Sequence, residues 1–332
     1  MKKLKEILPS QFVYCDVGAR AGLQSPWSDY KEFLQLISFE PDEEEFQNLV
    51  NAKGKNETVL PYALFRFPER RRLYLTKSRG CSSLYKPNED FLQDFPDPER
   101  FSVEENVVVP CTSLDTLYRR GDIKNIDFIK IDVQGSELDV LVGGVDYMPN
   151  DILGLEVEVE FGQLYNGQPL FSDVDPFVRE NFGMQLQDLR RYNWKYSESA
   201  YLKCGKGQLV FGEALYFITP ETLLRICDRL TPGQALEKIS KACFLSLVYG
   251  YVDYGLHILS LAEKQTRFDK KDIFIWKKLL SRIGVGRRYS GRGAHKIHAV
   301  LNFIANFFKP SHGGFASCDV HLGSRKKFGV FY

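Results

Sequence analysis

The sequence predicts an α/β fold built on a doubly wound, mostly parallel sheet, with a mainly helical extension at its C-terminal end. Through most of the first 220 residues, short apolar runs alternate with helical segments, as in open sheets with helices on both faces. Two of these runs end in turns that lead into helices, at Gly18 and Gly135. After Pro220 helical patterns replace the strand patterns. The 332 residues therefore divide into a sheet domain, 1–220, and an extension, 221–332.

The first part of the sheet domain alternates strands with helices and then departs from that order. Its predicted elements are a strand at 12–17, a helical stretch ending near Leu36, a strand at 37–40, a helix at 42–50 and a strand at 58–64. A hairpin over 73–75 and 83–85 and a mobile, Pro- and acid-rich loop over 86–105 interrupt the alternation. Because insertions over a sheet edge often carry specificity, we expect 72–105 to form part of a substrate pocket, with Ser82 and Ser83 as hydrogen-bonding groups.

The second part returns to alternation and continues into the extension. Ser113 is the expected N-cap of a helix that reaches about Arg120. The other predicted elements are strands at 107–109, 126–132, 152–161, 184–189 and 208–218, and helices at 136–142, 173–183, 221–229, 232–264 and 270–283.

Composition excludes several classes of protein. The seven Cys residues are scattered without a C-x-x-C pair, which argues against a disulfide framework or a zinc site and favours free thiols in the cytoplasm. No apolar run approaches the roughly 20 residues of a membrane span. The N-terminus starts with positive charge but lacks the apolar stretch of a signal peptide.

Charge is distributed unevenly along the chain. The extension holds 19 Lys and Arg against 8 Asp and Glu, whereas the sheet domain holds 25 against 35. Its basic zone has interspersed aromatic residues and consists of Lys277, Lys278, Arg282, Arg287, Arg288, Arg292 and Lys296. Nucleic-acid binding is one interpretation. The favoured one is a solvated helical module that docks on the acidic domain or on an anionic glycan.

The first candidate site is the turn after the first strand, where ligands of open α/β sheets bind. It contains Asp16, Gly18, Ala19 and Gly22, and the glycines are expected to bring the backbone close to a ligand and expose its amides. The dinucleotide pattern G-x-G-x-x-G fails here, because Arg20 stands where its second glycine belongs. The turn therefore suits a ligand without phosphate, or is purely structural.

The second candidate is Glu40, which ends the second strand 18 residues after Gly22. An acid at that place commonly accepts hydrogen bonds from the hydroxyls of a ribose. Together with the glycine turn, Glu40 therefore favours a nucleoside-containing ligand over an ordinary surface acid.

Acidic residues mark two further strands. Asp132 ends the most apolar strand and must find a partner or a ligand, and Glu137 lies in the first turn of the next helix, where the dipole favours its charge. A helix-capping pair is the alternative reading. Glu156, Glu158 and Glu160 alternate with valines, so they share one strand face. The favoured interpretation is a solvated face of an edge strand, and the alternative is a group of acids relieved by a cation or a proton.

Together these stretches resemble the FkbM-type methyltransferases, a branch of the class I, Rossmann-like, S-adenosylmethionine-dependent fold. The resemblance covers about residues 11–219. It rests on the stretches that begin at Asp16, at Phe39, at Thr112, at Ile129 and at Glu158, read in order as DVGA, FEP, TSLD, IKIDVQGSE and EVEF…LYNGQPLF. The family usually has Glu after Val133, where this chain has Gln134.

The resemblance implies a cofactor and a reaction. The cofactor would be S-adenosylmethionine, with Asp16, Gly18, Ala19 and Gly22 near its methionine end, Glu40 and Pro41 near its ribose, and Ala63 and Leu64 beside its adenine. The reaction would be O-methylation, often of a sugar or secondary metabolite. Asp132 is the first candidate for the base that removes the hydroxyl proton, followed by Glu137 and Glu158. No metal site is predicted, and Mg²⁺ held by these carboxylates is the less favoured route.

Two other functions stay open from the sequence. One is a nucleotide-dependent oxidoreductase, against which the missing glycine counts. The other is a non-catalytic binding module that keeps the fold. The acceptor and the oligomeric state are not fixed by the sequence.

Overall fold

In the computed structural model, two sheets organise the chain, which is described over residues 2–20, 22–201, 206–265, 268–284, 294–307 and 315–319. Ala21 of the glycine turn and Arg287, Arg288 and Arg292 of the basic zone lie outside these residues. The strands are β1 Phe12–Val17, β2 Leu34–Phe39, β3 Glu57–Leu60, β4 Ala63–Leu64, β5 Glu69–Thr76, β6 Val103–Thr112, β7 Phe128–Ile131, β8 Gly154–Glu160, β9 Met184–Trp194, β10 Gln208–Ile218 and β11 Ala316–Cys318.

The large sheet has the strand order β11-β9-β10-β8-β7-β1-β2-β3. Strands β8, β7, β1, β2 and β3 pair in parallel, and β10 is antiparallel to both β8 and β9. This arrangement confirms the predicted doubly wound, mostly parallel sheet. The chain order reverses between β1 and β7, and the carboxyl ends of strands beside such a reversal form a ligand-binding crevice.

A small second sheet, of order β4-β6-β5, accounts for the break in alternation. The single strand predicted at 58–64 is wrong, because the chain divides there between β3 of the large sheet and β4 of the small one. The predicted hairpin is reduced to a bridge between Tyr74 and Ser83, since β5 pairs along its length with β6. The loop predicted over 86–105 contains helical turns and buries Leu92, Phe95 and Phe101, which its Pro- and acid-rich composition concealed.

The helices follow the predicted order with several differences. They are α1 Lys2–Ile7, α2 Glu43–Ala52, α3 Glu89–Leu92, α4 Leu114–Arg120, α5 Glu137–Val142, α6 Met148–Asp151, α7 Phe171–Phe182, α8 Pro220–Cys227, α9 Pro232–Tyr249, α10 Val252–Glu263, α11 Lys270–Gly284 and α12 Ala294–Phe307. The helix predicted at 232–264 is two helices, because Gly250 ends the first with a φ of 82°. The helical stretch before residue 36 is a 3₁₀ turn, Trp27–Phe33, and the strand after it starts earlier than predicted. The remaining differences are α1, α6 and α12, which were not predicted from the sequence.

The C-terminal helices share the hydrophobic core of the large sheet. The ring of Phe244 lies 5.4 Å from that of Phe12, and the ring of Tyr249 lies 5.6 Å from that of Phe128. A buried ion pair, Lys241 to Asp127 at 2.8 Å, also joins the extension to the sheet domain. The division of the chain at residue 220 was inferred from sequence pattern and charge, and it stays a prediction. Within the described ranges, no helix combines the length and apolar character that crossing a membrane requires.

Candidate functional site

A cavity of about 240 Å³ opens at the carboxyl ends of β1, β2 and β7. Its lining contains every residue that the sequence assigned to the cofactor, namely Asp16, Gly18, Ala19, Gly22, Glu40, Pro41, Ala63 and Leu64. Asp132 and Ser82 also line it, whereas Glu137, Glu158 and Ser83 do not. The structure thus brings together residues that are more than a hundred positions apart in sequence.

Gly18 allows the turns after β1 and β7 to pass close to each other. Its φ is +86°, and a Cβ at this position would lie 2.0 Å from the backbone oxygen of Asp132. The expected exposure of turn amides is wrong for three residues. The amides of Gly18 and Ala19 point at the carbonyl of Phe39, at 3.3 and 3.4 Å, and that of Gly22 donates to Ala19. The end of β2 supplies the carbonyl that satisfies the turn.

Two opposite charges face the cavity near this turn. Asp16 is buried, and neither its Oδ1 nor Nη1 of Arg79 has a hydrogen-bond partner among the described residues. Burial raises the pKa of Asp16 to about 6, although Lys130 acts in the opposite direction. Arg20 donates to the carbonyl of Arg79 at 2.9 Å and so holds the hairpin over the turn. Arg79 was not among the predicted site residues, because nothing local signals that contact.

Glu40 stands at the other end of the cavity, directly after β2. Its Oε1 accepts a hydrogen bond from the amide of Asp42 at 2.9 Å, next to the start of α2. Burial raises the pKa of Glu40 to about 7, more than this hydrogen bond lowers it. Pro41, Tyr62 and Leu64 add apolar surface beside the carboxyl group, and Tyr62 was not anticipated.

Asp132 lies just beyond β7, with 37% of its side chain exposed. Lys130 Nζ lies 3.2 Å from its Oδ2, and Gln134 Nε2 donates to its Oδ1 at 3.0 Å. Burial tends to raise the pKa of Asp132, but Lys130 and the two hydrogen bonds keep that pKa below its ordinary value. The carboxylate is therefore ionised and accessible.

Gln134 occupies the centre of a group of acids. It has a φ of 60°, and its Nε2 donates to Glu158 as well as to Asp132. Its side-chain oxygen accepts from Tyr165 at 3.0 Å, and its backbone oxygen accepts from the Ser83 hydroxyl at 2.6 Å. An amide can bridge two carboxylates in this way, whereas a Glu at the same place would add a third negative charge.

Glu137 is buried beneath the same turn. Its two oxygens accept from the amides of Val133 and Gly135 at 2.9–3.1 Å, so the carboxyl group fixes the β7–α5 turn. Burial nevertheless raises the pKa of Glu137 above its ordinary value. The capping interpretation describes the contacts of Glu137, and Asp132 instead contacts Lys130 and Gln134.

The interpretation of the β8 acids as a solvated edge face is wrong. β8 lies between β7 and β10, so both of its edges are paired, and none of its three acids is exposed. Oxygens of Glu137, Glu158 and Glu160 lie within 4.8 Å of one another, a spacing that would also suit a metal ion. Burial and mutual repulsion raise the pKa values of Glu158 and Glu160 well above their ordinary value. Glu156 instead accepts from the Tyr249 hydroxyl at 2.6 Å.

The segment 73–85, which was predicted as a hairpin and is called the hairpin segment below, lies at the same edge of the sheet as the Gly18 turn. Its Leu73, Leu75 and Leu84 form an apolar wall of the cavity. Ser82 lines the cavity too, although its Oγ accepts from the amide of Thr76 at 3.1 Å. Ser83 is buried, and its hydroxyl donates to Gln134, so it supports the acid group rather than facing the cavity.

One family model matches the chain. A family model described as the methyltransferase FkbM domain matches residues 16–185, just over half of the chain. No curated protein matches the sequence.

Several solved structures resemble the fold at low identity. Methyltransferase FkbM from Methylobacillus flagellatus KT shares 13% identity at a TM-score of 0.34, over 61% of this chain and 43% of that one. A precorrin-6y C5,15-methyltransferase from Geobacter metallireducens GS-15 shares 10% identity at a TM-score of 0.30, over 65% of this chain and 86% of that one. A putative tRNA (m1A22) methyltransferase, Streptococcus pneumoniae Sp1610, shares 10% identity at a TM-score of 0.32, over 86% of this chain and 99% of that one. The chain spans less than half the length of the first of these.

Proposed function

The chain belongs to the FkbM methyltransferase domain family, and from this premise we propose that it is an S-adenosylmethionine-dependent O-methyltransferase acting on a hydroxyl of a sugar, glycan or small metabolite. One observation carries the proposal. A single cavity presents an unpartnered carboxyl oxygen of Asp16 and an unpartnered guanidinium nitrogen of Arg79, as judged over the described residues, together with the buried Glu40.

These groups suit the parts of the cofactor. The methionine end of S-adenosylmethionine carries an ammonium and a carboxylate, which Asp16 and Arg79 complement. In this assignment Gly18, Ala19 and Gly22 lie beside the same end. Glu40 accepts from the ribose hydroxyls, with Pro41 next to it. Ala63 and Leu64 contribute apolar surface to the adenine. When bound, the cofactor supplies a methyl group on a positively charged sulfur.

Asp132 is the proposed general base. Lys130 and Gln134 keep its carboxylate ionised, and its exposure leaves an oxygen accessible to an acceptor hydroxyl. Its position at the carboxyl edge allows it to accept the hydroxyl proton and to orient the acceptor. Glu158, which shares the Gln134 amide with Asp132, is the second candidate. Glu137 supports the reaction by holding the turn that carries Asp132.

Ser82 and the hairpin are the proposed acceptor contacts, with Ser83 acting through Gln134. A route through Mg²⁺ is less favoured, because Lys130 already compensates Asp132 and two backbone amides already occupy Glu137. We also propose that the protein is located in the cytoplasm.

The test is binding of S-adenosylhomocysteine, measured by calorimetry. We expect Glu40→Ala to weaken binding by roughly 10–100-fold, since hydrogen bonds to a charged group contribute about 1.5–3 kcal/mol. Glu44→Ala, an exposed acid of α2, is the matched control and should bind like the wild type. Unchanged binding by Glu40→Ala would refute the ribose assignment. A wild type that binds NADH instead of S-adenosylhomocysteine would refute the proposed function.

A further inference from the structure

Helix α12 exposes an unusually apolar face. Ile297, Val300, Leu301 and Ile304 are 46–60% exposed, and Phe303 is 74% exposed. The first four recur at positions i, i+3, i+4 and i+7, so they lie along one side of the helix. Contiguous apolar surface of this kind on a protein marks a place where something binds.

The sequence around this helix is strongly basic. Residues 270–309 contain ten Lys and Arg against a single acidic residue, Asp272. On α11 the exposed ring of Phe274 lies 5.9 Å from the ammonium of Lys278, so apolar and cationic groups adjoin there as well. None of these residues lines the cavity at the carboxyl edge of the sheet. The proposed methyl transfer therefore does not explain them.

Three kinds of partner differ in how well they complement a surface that is both apolar and basic. A second copy of the chain would bring the same positive charge against itself, which opposes association. Nucleic acid would satisfy the cations, but it gains little from aliphatic Ile, Val and Leu side chains, because it stacks on aromatic ones. A bilayer with anionic headgroups satisfies both, since it attracts the cations and takes the apolar face at its acyl boundary.

We propose that α12, together with the described basic residues of α11 and Lys296 of α12, docks the protein on the surface of a membrane that contains anionic lipids. The 14 residues of α12 lie in the plane of the interface, with Val300, Leu301 and Ile304 turned toward the acyl chains. This is peripheral attachment rather than insertion, since a helix of this length is too short to span a bilayer. The inference does not depend on the identity of the reaction.

The test is sedimentation of the full-length protein with vesicles. We expect binding to vesicles of phosphatidylcholine mixed with phosphatidylglycerol, no binding to phosphatidylcholine alone, and weaker binding as salt is added. The double variant Val300→Asp/Ile304→Asp should lower the partition coefficient at least about tenfold, because it places two charges in the apolar layer. Val108→Asp is the matched control, since Val108 on β6 is 56% exposed and Val300 is 58% exposed. It should bind like the wild type.

Several results would overturn the proposal. One is equal sedimentation with neutral and anionic vesicles, and another is a double variant that binds as tightly as the control. A protein that ignores vesicles but loses a dimer in the double variant would make α12 a contact between copies. Circular dichroism of both variants, which should match the wild type, excludes unfolding as the cause of lost binding.

Discussion

The two sides of the cavity use the same kind of residue in opposite ways. On the β1–β2 side, Asp16 and Glu40 stand apart from each other, and burial raises their pKa values to about 6 and 7. On the β7–β8 side the acids are crowded. There a lysine and an amide keep the pKa of Asp132 low, while the pKa of Glu158 rises well above its ordinary value.

The difference separates two tasks. An isolated buried acid gains most from a ligand that supplies its missing hydrogen bonds, which suits binding. A crowded group divides into one ionised member and others that retain protons, which suits proton transfer. The boundary between the two sides is the contact of Gly18 with the Asp132 carbonyl.

The largest expected effect comes from Gly18→Ala. The new Cβ would lie 2.0 Å from the Asp132 oxygen, at a φ of +86° that side chains rarely adopt. We expect a loss of more than ~4 kcal/mol in the free energy of unfolding, measured by urea denaturation, because two strand ends must separate.

The control for this variant is Gly22→Ala. Gly22 also has a positive φ, +63°, but a Cβ there meets nothing within 4 Å. It should cost only the backbone strain, about 1–2 kcal/mol. Equal losses for the two variants would mean that the contact between the two turns is unimportant.

Asp132→Asn tests the acid side. The substitution keeps the shape of the side chain and removes the negative charge, so S-adenosylhomocysteine binding should stay near the wild-type level. Turnover of an identified acceptor should fall by roughly 10²–10⁴-fold, the usual loss for a general base. Near-normal turnover would point to Glu158 as the base. Failure to fold would instead assign Asp132 a structural role.

The sequence located the β1–β2 side well, because its residues follow strand ends at regular spacing. Asp16, the glycine turn and Glu40 all line the cavity, as that spacing indicates. The fold class was also predictable, since it depends on alternating patterns rather than on particular contacts.

The β7–β8 side was less predictable, because its partners come from distant segments. The β8 acids seemed to belong to a solvated edge, and only the antiparallel pairing of β10 makes their strand central. The contacts of Gln134 could not be predicted from neighbouring residues either, since its partners are Glu158, Tyr165 and Ser83, which are distant in sequence. Arg79 was missed for a similar reason, because the hydrogen bond that holds its segment near the glycine turn comes from Arg20, which is distant in sequence.

The smallest expected effect is a pH dependence of cofactor affinity that belongs to the β1–β2 side. The pKa of Glu40 is about 7 and that of Asp16 about 6 without ligand, both raised by burial. Each group binds best when ionised, because hydroxyl and ammonium groups donate to it. Affinity for S-adenosylhomocysteine should therefore rise with pH, by about tenfold between pH 6 and 7 if each step follows one group, and level off above pH 8.

Glu40→Gln separates the two contributions. The amide cannot ionise, so the variant should lose the rise near pH 7 and keep the rise near pH 6 that belongs to Asp16. Its affinity at pH 8 should be lower than that of the wild type, while at pH 5.5, where the Glu40 carboxyl is protonated in the wild type, the two proteins should approach each other. Calorimetry at four pH values from 5.5 to 8.5 measures this. A wild-type profile that is flat, or that falls as pH rises, would show that neither acid binds the ligand in its ionised form, and the contrast between the isolated acids and the crowded ones would then lose its functional meaning.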